Sequence, residues 1–180
     1  MLQRVKVCIL LSTYNGERYL EEQLDSLIKQ ESVDVDILVR DDGSTDATTD
    51  ILNKWQNNGY LKWYSGENKG YALSFMDLVQ KSGEADYYAF CDQDDIWLPS
   101  KLISAIDNLD KLKSPVKLYC SNLYYYKNGK NLGLVSEAIT NGESVNLVAN
   151  KDGGNIVLPW DGVWTITVSN DLSKLTASTE

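Results

Sequence analysis

Short apolar runs alternate with longer amphipathic stretches over roughly the first two thirds of the chain. The runs at residues 5–11, 35–39, 61–64 and 87–91 are bounded by polar turn residues. Runs of this length, rich in aliphatic and β-branched residues, predict buried strands. The amphipathic stretches that predict helices are residues 17–30, 70–81, the segment around Ile51 and the segment that begins at Pro99. This alternation predicts an α/β fold, with a mostly parallel sheet flanked by helices.

Apolar spacing predicts which residues these helices carry in their apolar positions. In the first helix a single stripe is formed by Leu20, Leu24, Leu27 and Ile28. The second carries Ile51, Leu52 and Trp55, and Ser44 or Thr45 is a suitable N-cap for it. The third carries Leu73, Met76 and Val79, and the fourth turns Leu102, Ile106 and Leu109 inward.

The pattern changes after about residue 115. Strand-forming stretches at residues 116–126, 145–149, 156–158 and 164–168 lie among turn residues, and no stretch favours a helix. We therefore divide the chain into an α/β core at 1–126 and a β-rich C-terminal extension at 127–180.

Composition excludes several classes of function. With 17 basic and 26 acidic residues the net charge is −9, so nucleic acid is not an expected partner and membrane contact is at most peripheral. The chain has no His, which excludes a Ser-His-Asp triad, a Cys-His pair and a zinc site with His ligands. Its 3 Cys fit a reducing cytoplasm, and the longest apolar run, residues 7–11, is too short to span a bilayer.

The clearest chemical signal is the acidic cluster Asp92, Asp94 and Asp95, directly after the fourth predicted strand. Lone carboxylates are expensive to desolvate, and their mutual repulsion falls when a hard dication lies among them. Mg²⁺ or Mn²⁺ is suited to one or two carboxylates together with phosphate oxygens. The alternative interpretation is an acidic loop that caps the helix at Pro99.

Three further polar clusters follow predicted strands or open a helix. They are Ser12-Thr13-Tyr14-Asn15-Gly16, Asp41-Asp42-Gly43-Ser44 and Asn68-Lys69-Gly70. Each alone is also an ordinary turn or capping sequence. A parallel sheet, however, brings the ends of its strands to one edge, where α/β proteins bind ligands. Their joint placement therefore favours a binding site.

In this order, the four clusters resemble the motifs of the family 2 inverting glycosyltransferases. The similarity covers roughly residues 5–126 and is greatest to the rhamnosyltransferase-like branch that serves bacterial cell-surface polysaccharides, whereas the C-terminal part departs from the usual continuation. The resemblance implies a GT-A fold, a dTDP- or UDP-sugar donor, a divalent metal, and a saccharide or lipid-linked saccharide acceptor. It also implies a cytoplasmic location, at the inner face of the cell membrane.

The resemblance assigns roles to individual residues. It implies that Ser12, Tyr14, Asp42, Asn68 and Lys69 bind the nucleotide, with Asp42 at the base. Asp92 and Asp94 match the D-x-D motif, with Asp94 as the direct metal ligand and Asp92 nearer the ribose; Asp95 orients the loop.

The catalytic base is expected from a segment after the D-x-D strand. Trp160-Asp161-Gly162-Val163-Trp164 is similar to the acid-plus-aromatics motif of that region, so Asp161 is the candidate base. The alternative is that Asp161 is a turn aspartate.

Two other functions stay open. One is a nucleotide-sugar-binding module without turnover, because the acceptor segment is missing or replaced. The other is a nucleotidyltransferase, which would need a glycine-rich basic loop after the first strand, where this chain has a single glycine, Gly16.

Overall fold

The computed structural model describes residues 4–113, 117–121, 124–127, 130–134, 145–147, 162–168 and 175–179. Contacts between Cα atoms divide the chain into two units, Met1–Ile103 and Ser104–Glu180. None of the helices in the described ranges is both long enough and apolar enough to cross a membrane.

The first unit is built on a parallel sheet. Its strands are β1 (Val5–Thr13), β2 (Val33–Asp41), β3 (Lys62–Ser65) and β4 (Tyr87–Cys91), in the spatial order β3-β2-β1-β4. The helices that follow the strands are α1 (Leu20–Ile28), α2 (Thr48–Asn57), α3 (Tyr71–Lys81) and α4 (Lys101–Leu109), the last of which runs past the boundary of the unit. The predicted α/β fold and its parallel sheet are confirmed.

The central strand β1 is buried on both faces, which explains its nearly continuous apolar run. On one face Cys8 and Leu10 form a core cluster with Leu78 of α3. On the other face, Leu11 pairs in register with Cys91 of β4, whose sulfur accepts a hydrogen bond from Gln23 of α1. Because side chains alternate along a strand, α1 and α3 cover opposite faces of the sheet.

The pairing register sets the position of the strand ends. Thr13, the last residue of β1, pairs with Asp41 at the end of β2, and Leu11 pairs with Cys91 at the end of β4. All these pairs are parallel, so the polar residues that follow the three strands emerge at the same edge of the sheet.

Helix α1 is shorter than predicted. It begins at Leu20 instead of residue 17, because Glu17 is held by the loop between β2 and α2. The N–H of Glu17 donates to Asp46, and its carboxylate accepts the N–H of Ala47. The predicted stripe is buried apart from Ile28, which is 39% exposed.

The predicted cap of α2 is wrong. The hydroxyl oxygen of Ser44 accepts the N–H of Asn15, and the N–H of Thr45 donates to the side chain of Asn15. Both residues therefore bind the loop between β1 and α1 instead of capping α2. The N–H of Thr48, the first helical residue, donates to Asp46.

Helices α3 and α4 differ in how far their apolar residues are buried. In α3 the buried residues are Ser74 and Leu78, whereas the predicted apolar residues Leu73, Met76 and Val79 are exposed. In α4 the three predicted residues are buried: Leu102, Ile106 and Leu109.

The second unit contains antiparallel strands where the sequence predicts β-structure. They are β5 (Leu118–Cys120), β6 (Tyr124–Lys127), β7 (Lys130–Leu134), β8 (Val145–Leu147), β9 (Gly162–Val168) and β10 (Leu175–Thr179). One sheet has the order β5-β9-β10-β8, and β6 pairs with β7. The sequence did not predict β7 or β10, and the strand expected at 156–158 lies outside the described residues.

Candidate functional site

A cavity of about 170 Å³ opens at the edge of the sheet where β1, β2 and β4 end. Its lining comes from the end of β1 and the loop after it, the loop after β2, the start of α3 and the loop after β4. The lining residues are Ser12, Thr13, Tyr14, Asp42, Tyr71, Asp92, Gln93 and Asp94. Ligand pockets commonly measure about 300–1,000 Å³, so a cavity of this size has room for only part of a large ligand.

Gln93 joins the loop after β4 to the loop after β1. Its side-chain oxygen accepts the Thr13 hydroxyl at 2.7 Å and the Tyr14 N–H at 2.9 Å, and its amide nitrogen donates to the Tyr14 carbonyl at 3.2 Å. These hydrogen bonds fix the aromatic residue Tyr14 and the acidic residues Asp92 and Asp94 at the same opening.

Gly16 is required by this close packing. A Cβ at Gly16 would lie 2.5 Å from the side-chain oxygen of Gln93 and 2.8 Å from the Thr13 hydroxyl. The N–H of Gly16 donates to the Thr48 hydroxyl at 2.8 Å. The loop after β1 is therefore held by the loop after β4 on one side and by the start of α2 on the other.

Asp42 is a buried carboxylate that accepts hydrogen bonds from three donors. It pairs with Arg40 and accepts the N–H groups of Lys69 and Gly70, each at 2.9 Å in its shortest contact. Burial alone would raise the pKa of Asp42, but the hydrogen bonds from Arg40 and the two N–H groups outweigh it, and the pKa lies below its ordinary value. Asp42 is therefore ionised at the cavity.

Its neighbour Asp41 has a different task. The Asp41 carboxylate accepts the N–H of Ser44 at 3.1 Å and the hydroxyl of Ser65 at 2.9 Å, so it closes the turn after β2. Gly43 lies in that turn with φ +84°, a conformation that favours glycine.

Two carboxylates of the acidic cluster, Asp92 and Asp94, line the cavity, and both are exposed. Partial desolvation and the negative charge of Asp94 raise the pKa of Asp92, and desolvation with repulsion from Asp92 and Asp94 raises that of Asp95. The loop thus concentrates negative charge that a cation would relieve.

This donor set fits a magnesium-like ion. Among the residues that the structure describes, no group of three or more His, Cys, Asp or Glu side chains is arranged to hold a metal. Two carboxylates at a solvent-accessible cavity are what Mg²⁺ or Mn²⁺ uses when water and phosphate oxygens complete its coordination.

The structure brings together most of the predicted site residues. Ser12, Tyr14, Asp42, Asp92 and Asp94 line one cavity. Asn68 and Lys69 are exposed and are not among its lining residues; the backbone of Lys69 contacts Asp42 instead. The predicted base, Asp161, lies outside the described residues.

Sequence reasoning missed Thr13, Tyr71, Gln93 and Arg40. Thr13 lies within Ser12-Thr13-Tyr14-Asn15-Gly16, Gln93 lies between Asp92 and Asp94, and Tyr71 directly follows Asn68-Lys69-Gly70, so adjacency to the predicted site was an available signal for all three. Arg40 directly precedes the Asp41-Asp42-Gly43-Ser44 cluster, but its role could not be inferred because only the folded chain brings Asp77, Ser74 and the Glu67 carbonyl to its guanidinium.

The model of the family described as Glycosyl transferase family 2 matches residues 8–155, beyond the 126 residues on which the resemblance was based. The dTDP-rhamnosyl transferase RfbG of Shigella flexneri is 38% identical over 130 residues, which are 68% of this chain and 44% of that protein. The poly(ribitol-phosphate) beta-N-acetylglucosaminyltransferase TarS of Staphylococcus aureus is 33% identical over 117 residues, 63% of this chain and 20% of TarS.

Solved structures share the fold. The crystal structure of S. aureus TarS 1–349 in complex with UDP superposes with a TM-score of 0.53 at 31% identity, over 59% of this chain and 32% of that one. The mannosyltransferase PcManGT from Pyrobaculum calidifontis, in complex with GDP-Man and Mn²⁺, gives a TM-score of 0.57 at 22% identity, over 69% and 37% of the two chains. Both are GT-A glycosyltransferases.

The chain spans less than half the length of either curated relative described here. The family match nevertheless covers most of this chain, including the ends of the three strands that form the cavity. With its parallel sheet, the acidic cluster after β4 and this match, the chain belongs to glycosyl transferase family 2.

Proposed function

We propose that this chain binds a nucleoside diphosphate sugar in the cavity at the ends of β1, β2 and β4, and that it transfers the sugar, with inversion, to a saccharide acceptor. The observation that carries the proposal is the convergence of Ser12, Tyr14, Asp42, Asp92 and Asp94 on one cavity. Tyr14 offers an aromatic face to a base, and ionised Asp42 accepts a hydrogen bond from a base N–H.

A divalent cation, Mg²⁺ or Mn²⁺, is part of the proposal. Asp94 would bind it directly, and Asp92 would bind it or the ribose. When bound, the cation neutralises charge on the diphosphate as it leaves. The residues of this chain then orient the donor: Gln93 fixes the loop after β4 against Tyr14, so that the base and the diphosphate are held by connected loops.

The remaining step needs a base that removes the proton from the acceptor hydroxyl. Asp161 stays the candidate, and residues 127–180 stay the proposed acceptor half. The proposed donors are dTDP- or UDP-linked rhamnose or another hexose, supported by the names of RfbG and of the UDP complex of TarS. The proposed acceptor is a cell-surface polysaccharide precursor, free or lipid-linked, used in the cytoplasm at the inner face of the membrane.

Calorimetric binding of UDP and dTDP, with Mn²⁺ and with chelator, tests the donor site. We expect Mn²⁺-dependent binding that Asp94→Ala abolishes. Asp34→Asn is the matched control, because Asp34 is exposed near the amino end of β2, away from the cavity. Absence of binding to the wild-type protein under all conditions would refute the donor site.

A turnover screen over donor sugars then separates an enzyme from a binding module. Nucleotide release in the presence of saccharide acceptors, lost in Asp94→Ala, is the result expected of a transferase. Metal-dependent binding without turnover for any donor and acceptor would favour a nucleotide-sugar-binding module.

A further inference from the structure

Arg40 is a buried cation, 1% exposed, at the point where β2 approaches the cavity. Its guanidinium reaches four partners on different parts of the fold. Nη1 pairs with Asp42 and donates to the Ser74 hydroxyl at 3.1 Å, Nη2 donates to the Glu67 carbonyl at 2.9 Å, and Nε donates to Asp77 at 3.1 Å. One side chain thus connects the loop after β3 and helix α3 to a carboxylate of the cavity.

We propose that Arg40 is a positioning residue for the donor cavity. Its guanidinium holds Asp42, Ser12 and the backbone of residues 67–70 in the arrangement that binds the nucleotide. This inference rests on the proposed function, because it assigns Arg40 an effect on nucleotide binding. Arg40 is not itself among the residues that line the cavity.

The connection to the cavity has two branches. In the first, Arg40 pairs with Asp42, whose other hydrogen bonds fix the N–H groups of Lys69 and Gly70. In the second, Ser74 accepts hydrogen bonds from Arg40 and, at 2.6 Å, from the hydroxyl of Ser12. Each branch ends on a side chain that lines the cavity, so a shift of the guanidinium would reach two sides of it.

The surroundings are shaped for a guanidinium. A Cβ at Gly66 would lie 2.7 Å from Nη2 of Arg40, so glycine allows the loop to close on it. On the outer side, Asp77 also accepts the hydroxyl of Tyr64 at 2.8 Å and the ammonium of Lys81 at 3.1 Å, which holds that carboxylate in place. Lysine keeps the charge but lacks the planar fork of donors, and so cannot serve these partners together.

The experiment compares Arg40→Lys with Leu52→Val, a control that loses packing in the buried interior of α2. UDP binding with Mn²⁺ is measured by calorimetry well below the melting midpoint of each protein. We expect Arg40→Lys to raise Kd about ten-fold or more, while the control stays within about two-fold of wild type even where its melting midpoint also falls. An effect of lost stability alone would not separate the two variants in this way.

Hydrogen exchange of the ligand-free proteins gives a second measurement, which needs no nucleotide. In Arg40→Lys the amides of Lys69 and Gly70 should exchange about ten-fold faster than in wild type or in Leu52→Val, because Asp42 no longer has a fixed orientation. Unchanged exchange at these two amides would overturn the inference, and so would an unchanged Kd in a folded Arg40→Lys protein.

If the wild-type protein binds neither UDP nor dTDP, the proposed function fails, and the exchange of Lys69 and Gly70 alone decides whether Arg40 positions the loop. If Arg40→Lys does not fold, Ser74→Ala tests the second branch: we expect about a three-fold or larger rise in Kd, and an unchanged Kd would overturn the inference.

Discussion

A methyl group at Gly16 would test how tightly the loops around the cavity are packed. Its Cβ would lie 2.5 Å from the side-chain oxygen of Gln93 and 2.8 Å from the hydroxyl of Thr13, both nearer than real Cβ contacts come. Gly16 does not have a positive φ, so an alanine there meets no backbone penalty. The steric conflict is therefore the main effect expected of Gly16→Ala.

The expected loss of unfolding free energy depends on which side chain has to move to make room for the methyl group. Overpacking a close-packed site costs about 1–3 kcal/mol of unfolding free energy. If Gln93 moves away, it loses its hydrogen bonds to Thr13 and Tyr14, worth about 1 kcal/mol each, although water can replace part of those at exposed Tyr14. We therefore expect Gly16→Ala to lower the unfolding free energy by about 2–3 kcal/mol.

A double-mutant cycle isolates the conflict. Gln93→Ala alone should lower stability by about 1–2 kcal/mol, because the buried Thr13 hydroxyl loses its acceptor. In that background Gly16→Ala has lost its nearest obstacle, so the double variant should be about 1–2 kcal/mol more stable than the sum of the single effects predicts. Additivity within about 0.5 kcal/mol would refute the reasoning.

Urea unfolding, followed by circular dichroism and by tryptophan fluorescence, measures these differences, and coincident transitions justify a two-state analysis. Gly83→Ala is the matched control. A Cβ at Gly83 meets nothing within 4 Å and its φ is not positive. The unfolding free energy of Gly83→Ala should stay within about 0.5 kcal/mol of wild type, or rise slightly, because alanine restricts the unfolded chain.

Further predictions concern other parts of the first unit. Hydrogen bonds from Lys54 and Trp55 of α2 lower the pKa of Glu21. The stability that Glu21 contributes is therefore present above about pH 4.5 and is lost as the pH falls through the lower pKa of the folded state. The difference in unfolding free energy between wild type and Glu21→Gln should accordingly shrink between pH 6 and pH 3. Burial raises the pKa of the Cys8 and Cys91 thiols, so both should resist iodoacetamide at about pH 8 until the protein is unfolded, as peptide mass spectrometry would show. Gly66→Ala should lower the melting midpoint and weaken UDP binding, whereas Gly83→Ala should change neither.

The sequence predicted the architecture because each strand of the parallel sheet can be recognised from its own local run of apolar residues. β1 is a continuous apolar run, since both of its faces are covered, and β4 was predicted with the same bounds that the structure shows. Once the strands are parallel, their carboxyl ends share an edge, and this alone explains why Asp42 and Asp94 were expected near each other.

The parts that the sequence did not predict depend on partners far away along the chain. Gln93 binds Thr13, Arg40 binds Asp77, and the start of α1 is set by the contact of Glu17 with the loop before α2. No local pattern records such pairs. Periodicity also misjudged α3, because its apolar residues lie on more than one side and its buried face includes a polar residue, Ser74, that is hydrogen-bonded to Arg40.

The adjacent acids Asp41 and Asp42 show why a motif can favour two interpretations at once. Asp-Asp-Gly-Ser is an ordinary turn sequence and also resembles a binding motif. The turn interpretation applies to Asp41, and the binding interpretation applies to Asp42. Asp41 accepts the N–H groups of the turn, whereas Asp42 accepts those of Lys69 and Gly70 and lines the cavity. The turn is thus what directs Asp42 toward the loop that it holds, and structural and functional roles in this motif depend on each other.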